Sequence, residues 1–219
     1  MSIDRPPARP RVRRSPEAAR DNILAAAESL LVERGPQALK LADVAARAGV
    51  ANASVLHHFG SIDEVQTALM ERMVRQLVDQ ILAAPPVEGG AAGRAEAGAR
   101  ALFDAFETRG AARLAAWMEL TGQAPRMTLV RGAIQEVVAG RIASGLVNAE
   151  QAEDFILVCV ALAMGVGLFG ASLDDLMGKP PGRTRQLAQA MIRTQLAAVA
   201  GDDPVFRPPA SAPPAGRNR

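Results

Sequence analysis

Residues Leu39 to Glu64 read LKLADVAARAGVANASVLHHFGSIDE. An apolar-periodic segment runs from Leu39 to Ala48, and Leu41, Val44, Ala45 and Ala48 fall on one helical face. Gly49 can then take the positive φ of a sharp turn without a Cβ penalty. The spacing predicts a second short helix over Asn52 to Phe59. Ser61 starts a third, with Glu64 three residues on to complete a capping box. Helix, glycine turn and short helix make a helix-turn-helix, whose second helix fits the major groove of DNA.

Within this head the candidates for contact with DNA are Lys40, Arg47, Asn52, Ser54, His57 and His58. Asn can pair bidentately with adenine, and Ser or His can reach bases or phosphates. Ala51 and Ala53 are small enough for close backbone approach or contact with a thymine methyl. His57 and His58 are the only histidines in the chain. Each has a second reading: His57 as a merely exposed side chain, His58 as one that packs or caps inside the head.

The same residues resemble the DNA-binding domain of the TetR (tetracycline-repressor) family. The resemblance begins at Arg20-Asp21-Asn22-Ile23-Leu24-Ala25-Ala26-Ala27 and Glu33-Arg34-Gly35. It continues through Asp43-Val44-Ala45, Ala48-Gly49-Val50, Ser54-Val55 and His58-Phe59-Gly60-Ser61, ending near Glu64-Val65. It covers about a fifth of the chain, with order and spacing intact. It implies a homodimeric regulator of transcription, most often a repressor released from DNA by a small molecule. It also implies that the helix from Ser61 joins head to body. This sequence departs from the pattern where Leu56 replaces the usual Tyr and Ile62 the usual Lys, both associated with phosphate contact. Lys40 stands where Thr is frequent and adds a charge.

Outward from the head, the first fourteen residues contain Arg5, Arg9, Arg11, Arg13 and Arg14 with three prolines. This stretch reads as a basic arm along phosphates or in a minor groove, or as a solvated tail. No apolar run follows it, so it is not a secretory signal. Ser15-Pro16 opens a helix to Arg34, Ser as N-cap and Pro at the first position, and Gly35-Pro36 ends it. Ile23, Leu24, Ala27, Leu30 and Leu31 form its buried stripe. Glu17, Asp21 and Glu28 on this helix are read as solvated charges.

The chain has 219 residues, 25 basic against 23 acidic, 3% aromatics and no Tyr. Strong helix formers dominate, which points to an all-α protein of about nine helices. Only Lys40 and Lys179 among the basic residues are lysine, a bias that genomic composition alone could produce. The lone Cys159 excludes an internal disulfide and fits a reduced cytoplasm. The expected organisation is a disordered basic arm over 1–14 and the helix-turn-helix domain over 15–64. A helical ligand-binding and dimerisation domain follows over 65–200, then a disordered Pro-rich tail over 201–219.

In the larger domain the spacing predicts helices from Ser61 to about Ala84, Arg94 to Arg109, Ala111 to Leu120, Arg126 to Ser144, Asn148 to about Leu173, and Arg183 to Ala200. Phe103, Phe106, Trp117, Met118 and Met127 are candidates to line an apolar ligand pocket, with Glu119, Gln123, Arg126 or Arg131 as polar partners. The bland reading is that they fill the core. Phe155 to Leu173 is nineteen residues without a charge, long enough to span a membrane but equally a helix buried by other helices. Its flanks, Asp154 and Asp174-Asp175, lack the Arg, Lys, Trp or Tyr of membrane interfaces. The resemblance implies that this helix and the last one pair with their symmetry mates. The expected dimer residues are Val158, Leu162, Gly165, Phe169, Met191 and Leu196. No cofactor, metal or catalytic group is expected, since both His lie in the head and no Cys/His/Asp cluster has metal spacing. The alternative from a different class is a helical interaction or membrane-tethered protein whose DNA head is degenerate.

Overall fold

The computed structural model describes residues 15–83, 90–123 and 149–200, with helical positions also at 132, 135, 136 and 139. Among the described residues the chain is all-α, as expected, with eight α-helices, one 3-10 turn and one π turn. The helix expected over Arg126 to Ser144 lies almost wholly outside them, as do the arm at 1–14 and the tail at 201–219. Two compact units are present, one of 15–73 with 109–123, the other of 74–83, 90–108 and 149–200.

In the first unit, α1 spans Pro16–Arg34. Its N-cap Ser15 accepts from the Ala18 N–H at 3.1 Å, and Pro16 takes the position where an N–H would be orphaned. Ile23, Leu24, Ala26, Ala27, Leu30 and Leu31 are buried, the expected stripe with one addition. A 3-10 turn, Pro36–Ala38, leads into α2 (Leu41–Ala48), which buries Val44, Ala45 and Ala48. Gly49 ends α2 in the left-handed region (φ 67°, ψ 35°), and α3 runs Asn52–Phe59 with Val55 and Phe59 buried. α4, Ile62–Leu82, begins after Ser61, whose Oγ accepts from the Glu64 N–H at 3.1 Å. Its stripe Val65, Leu69 and Met73 completes the core of this unit. Also part of the unit is α6, Ala111–Leu120, with Ala111, Ala112, Leu114 and Met118 buried.

The second unit takes the far half of α4, then α5 (Gly90–Phe103), which widens into a π turn over Asp104–Thr108. α7 (Ala149–Leu176) and α8 (Arg183–Ala200) complete it. Leu77, Ala99, Leu102, Phe103, Cys159, Ala163, Val166, Ala188 and Ile192 form one core. Asp174 joins the last two helices. Its Oδ1 accepts from the Thr184 N–H at 2.8 Å and the Thr184 hydroxyl at 2.6 Å, capping the start of α8. That hydroxyl, opposed by burial and helped by the N–H groups of Thr184, Gly182 and Arg183, holds the carboxyl below its ordinary value. In the connecting loop the Lys179 N–H donates to the Asp174 carbonyl, and the Lys179 side chain is exposed.

α7 is not buried on all sides within one chain. Cys159, Ala163 and Val166 face the core, while Leu157, Val158, Phe169, Leu173 and Leu176 are exposed. From Glu153 to Leu176 it is long and apolar enough to cross a membrane by length and composition alone.

Candidate nucleic-acid interface

α3 divides cleanly. Val55 and Phe59 point into the head, and Asn52, Ala53, Leu56 and His57 are exposed. Positions 52, 53, 56 and 57 share one helical face by the 3.6-residue repeat, so the outward surface of α3 is one strip of polar and small groups with Leu56 in its middle. Leu56 is 41% exposed, an apolar side chain on a face otherwise suited to polar contact. Ser54 is half-buried at the edge of this strip. Lys40 is exposed at the N-cap of α2 and makes no side-chain capping bond there.

Polar ties from α1 hold the strip in place. Asn22 Nδ2 donates to the Ala48 carbonyl at 2.8 Å, just before the turn. The Arg20 guanidinium donates to the His58 carbonyl and stacks over the Phe59 ring at 4.2 Å. The half-buried His58 ring lines an open cleft of about 470 Å³ with Arg20, Phe59, Glu64, Thr67, Ala68 and Glu71. His58 is thus placed at the joint of α3 with α1 and α4, off the strip that carries Asn52 and His57.

Arg47 turns to α1. Its Nη1 and Nη2 each lie 2.6 Å from one oxygen of Glu33, and Nη1 donates to Ser29 Oγ at 2.5 Å. The Arg47 hydrogen bond, opposed by burial and helped by Ser29 and the positive charges of Arg47 and Arg34, lowers the Glu33 pKa from 4.5 to about 2. A second cluster centres on Glu28, read above as a solvated charge; that reading is corrected here. Glu28 Oε2 lies 2.6 Å from Arg72 of α4 and Oε1 2.6 Å from Arg109, one residue before the N-cap of α6. Arg72 also donates to the Leu24 carbonyl at 2.8 Å. Arg72 stands three residues after Leu69, on the edge of a buried stripe, a local signal that it would be partly covered. Its partner is 44 residues away, which no spacing rule reaches.

The pocket candidates are dispersed. Phe103 is fully buried in the core of the second unit, with Phe106 packed against that core. Trp117 is half-buried and Met118 buried on α6, which belongs to the first unit. Met127, Arg126 and Arg131 lie outside the described residues. Glu119 is exposed, and Gln123 is buried with an Oε1 that has no hydrogen-bond partner among the described residues. Of the expected dimer residues, Val158, Phe169 and Met191 are exposed, and Leu162 and Gly165 are half-buried. Leu196 belongs to α8, its side chain outside the described set. Among the described residues no three His, Cys, Asp or Glu side chains come together as metal ligands.

A short helix held at a glycine turn against a supporting α1, with its outer face free, defines a helix-turn-helix head. Residues 23–69 match the family model of bacterial regulatory proteins, tetR family. Solved structures give the same fold over most of the chain. Apo ActR from Streptomyces coelicolor is 19% identical, covers 84% of this chain and 96% of its own, and has a TM-score of 0.61. A TetR-family member from Streptomyces coelicolor A3 is 21% identical over 81% and 97%, with a TM-score of 0.55. The multidrug binding protein EbrR, complexed with imidazole, is 20% identical over 90% and 94%, with a TM-score of 0.58. No curated protein matches the sequence. The head is that of the TetR family, and the chain takes the TetR fold.

Proposed function

We propose that this chain is a homodimeric transcriptional regulator that binds double-stranded operator DNA through α3. On this reading it is a repressor released from a pseudo-palindromic operator by a small, largely apolar ligand, and it is a cytoplasmic protein without enzymatic activity. The observation that carries the reading is the outward strip of Asn52, Ala53 and His57 on a helix held by α1. A strip two turns long reads few base pairs, so two copies on a twofold axis are needed for useful specificity. The exposed apolar side chains of α7 and α8 supply a surface on which a second copy can pair. EbrR has also been solved with ethidium, and its likeness in fold supports a small-molecule ligand here.

The test is fluorescence anisotropy of the purified protein on the duplex immediately upstream of its own gene, across a salt series. Affinity should fall steeply with salt, since phosphate contacts release counterions. Asn52→Ala should cost about 1–3 kcal/mol on that duplex and less on unrelated DNA. Equal weak binding to all duplexes would refute the operator reading. The alternative, a tethered protein with a degenerate head, draws on exposed Leu56 and on the length and apolarity of α7. Solubility as a dimer without detergent dismisses it.

A further inference from the structure

We propose that Arg47, Glu33 and Ser29 form a lock that fixes α2 against α1, so that Arg47 serves DNA binding by positioning the reading head and not by touching a phosphate. The inference rests on the DNA-reading function proposed above.

The geometry is that of a committed side chain. Arg47 follows Val44 by three residues, on the flank of the stripe Val44, Ala45 and Ala48 that α2 buries. Its guanidinium therefore leaves α2 alongside α1, where Ser29 and Glu33, four residues apart, share one face. Both terminal nitrogens meet both Glu33 oxygens at 2.6 Å, a two-pronged fit that Lys could not reproduce. Ser29 Oγ adds a bond to Arg47 at 2.5 Å and donates to Glu33 at 3.2 Å. Releasing Arg47 to a phosphate would exchange one charge-assisted pair for another, with little net gain in affinity.

The position within the head gives the lock its purpose. α2 has eight residues, too few to hold its shape without tertiary support. The lock grips its last turn, next to the Asn22 bond to the Ala48 carbonyl and just before Gly49. Whatever fixes that turn fixes the direction in which α3 departs. Glu33 and Ser29, neither on the outward strip, thereby become part of the DNA-binding apparatus as positioning residues.

Glu33→Gln and Arg47→Ala separate the two roles, read by anisotropy on the upstream duplex over a salt series and by amide hydrogen exchange without DNA. A positioning lock predicts that each variant weakens binding about two- to fivefold, that the double variant is no worse than either alone, and that the salt slope stays unchanged. It also predicts faster exchange in α2 for both variants. A phosphate contact predicts the opposite for Glu33→Gln, tighter binding as Arg47 is set free, and a salt slope about one phosphate smaller for Arg47→Ala. Either result overturns the lock. If the wild-type chain binds no DNA, the functional reading fails separately, and the exchange result still decides: unchanged α2 protection overturns the lock, faster exchange supports it.

Discussion

At the scale of single residues, Gly49 shows how a backbone requirement differs from a space requirement. A Cβ placed there would meet nothing within 4 Å, so only its φ of 67° demands glycine. Gly49→Ala should therefore cost roughly 1–2 kcal/mol, the price of the left-handed region, with Gly49→Asn nearer to wild type. Urea denaturation of the two variants checks the ranking. Glu33 makes a prediction in pH. Its carboxyl titrates at about 2 in the folded chain against 4.5 ordinarily. A depressed value means that the stabilisation is fully present above about pH 4.5 and is lost as pH falls through 2. The stability gap between wild type and Glu33→Gln should close over that window, and a gap constant from neutral pH down to 2 would contradict the assignment. Both residues stand in the sequence motifs that identified the head, but only Gly49 announces its role. Glycine before a short helix has one common use, whereas the role of Glu33 depends on which charge faces it.

At the scale of elements, α1 is more than a support. It carries the Glu33 and Ser29 side of one polar cluster, the Glu28 centre of another, and the Arg20 and Asn22 ties to α3 and α2. Its buried stripe was legible because 3.6-residue periodicity is a local property, and so were the bounds of α3, α6 and α8, whereas α2 starts at Leu41, two residues later than the periodicity placed it. Its polar partners were not, because Arg72 and Arg109 reach it from 44 and 81 residues away. Glu28 is shared by two guanidiniums, with its side chain 23% exposed. Glu28→Gln leaves two partly covered positive charges without a counter-charge and should lower stability by about 1–3 kcal/mol. Glu17→Gln, on the exposed first turn of the same helix, should change it by less than about 0.5 kcal/mol. Equal effects in chemical denaturation would return Glu28 to the status of a solvated charge.

At the scale of the whole molecule, the main departure from the sequence reading concerns where the apolar side chains go. Nineteen uncharged residues say that α7 avoids water, but not what covers it. Among the described residues the buried apolar side chains of α7 are Cys159, Ala163 and Val166. Phe169 is 59% exposed, Leu176 81% and Met191 61%, and large apolar side chains left in water mark a candidate interaction surface. If a second copy covers it, Phe169→Glu and Met191→Glu should each shift the chain from dimer to monomer in sedimentation velocity while circular dichroism stays helical. The residues expected to line a pocket were the least legible. Phe103 and Phe106 belong with one core and Trp117 and Met118 with another unit, and an apolar residue at helical spacing looks the same in either role.

The scarcity of lysine has a practical side. Lys40 is exposed in the first compact unit and Lys179 in the second, and they are the two lysines of the sequence. Arginine does not react with amine-directed reagents under mild conditions. Lysine thus offers one chemical handle per unit. One label reports on the neck of the reading head, the other on the turn closing the α7–α8 pair, without engineering a single cysteine.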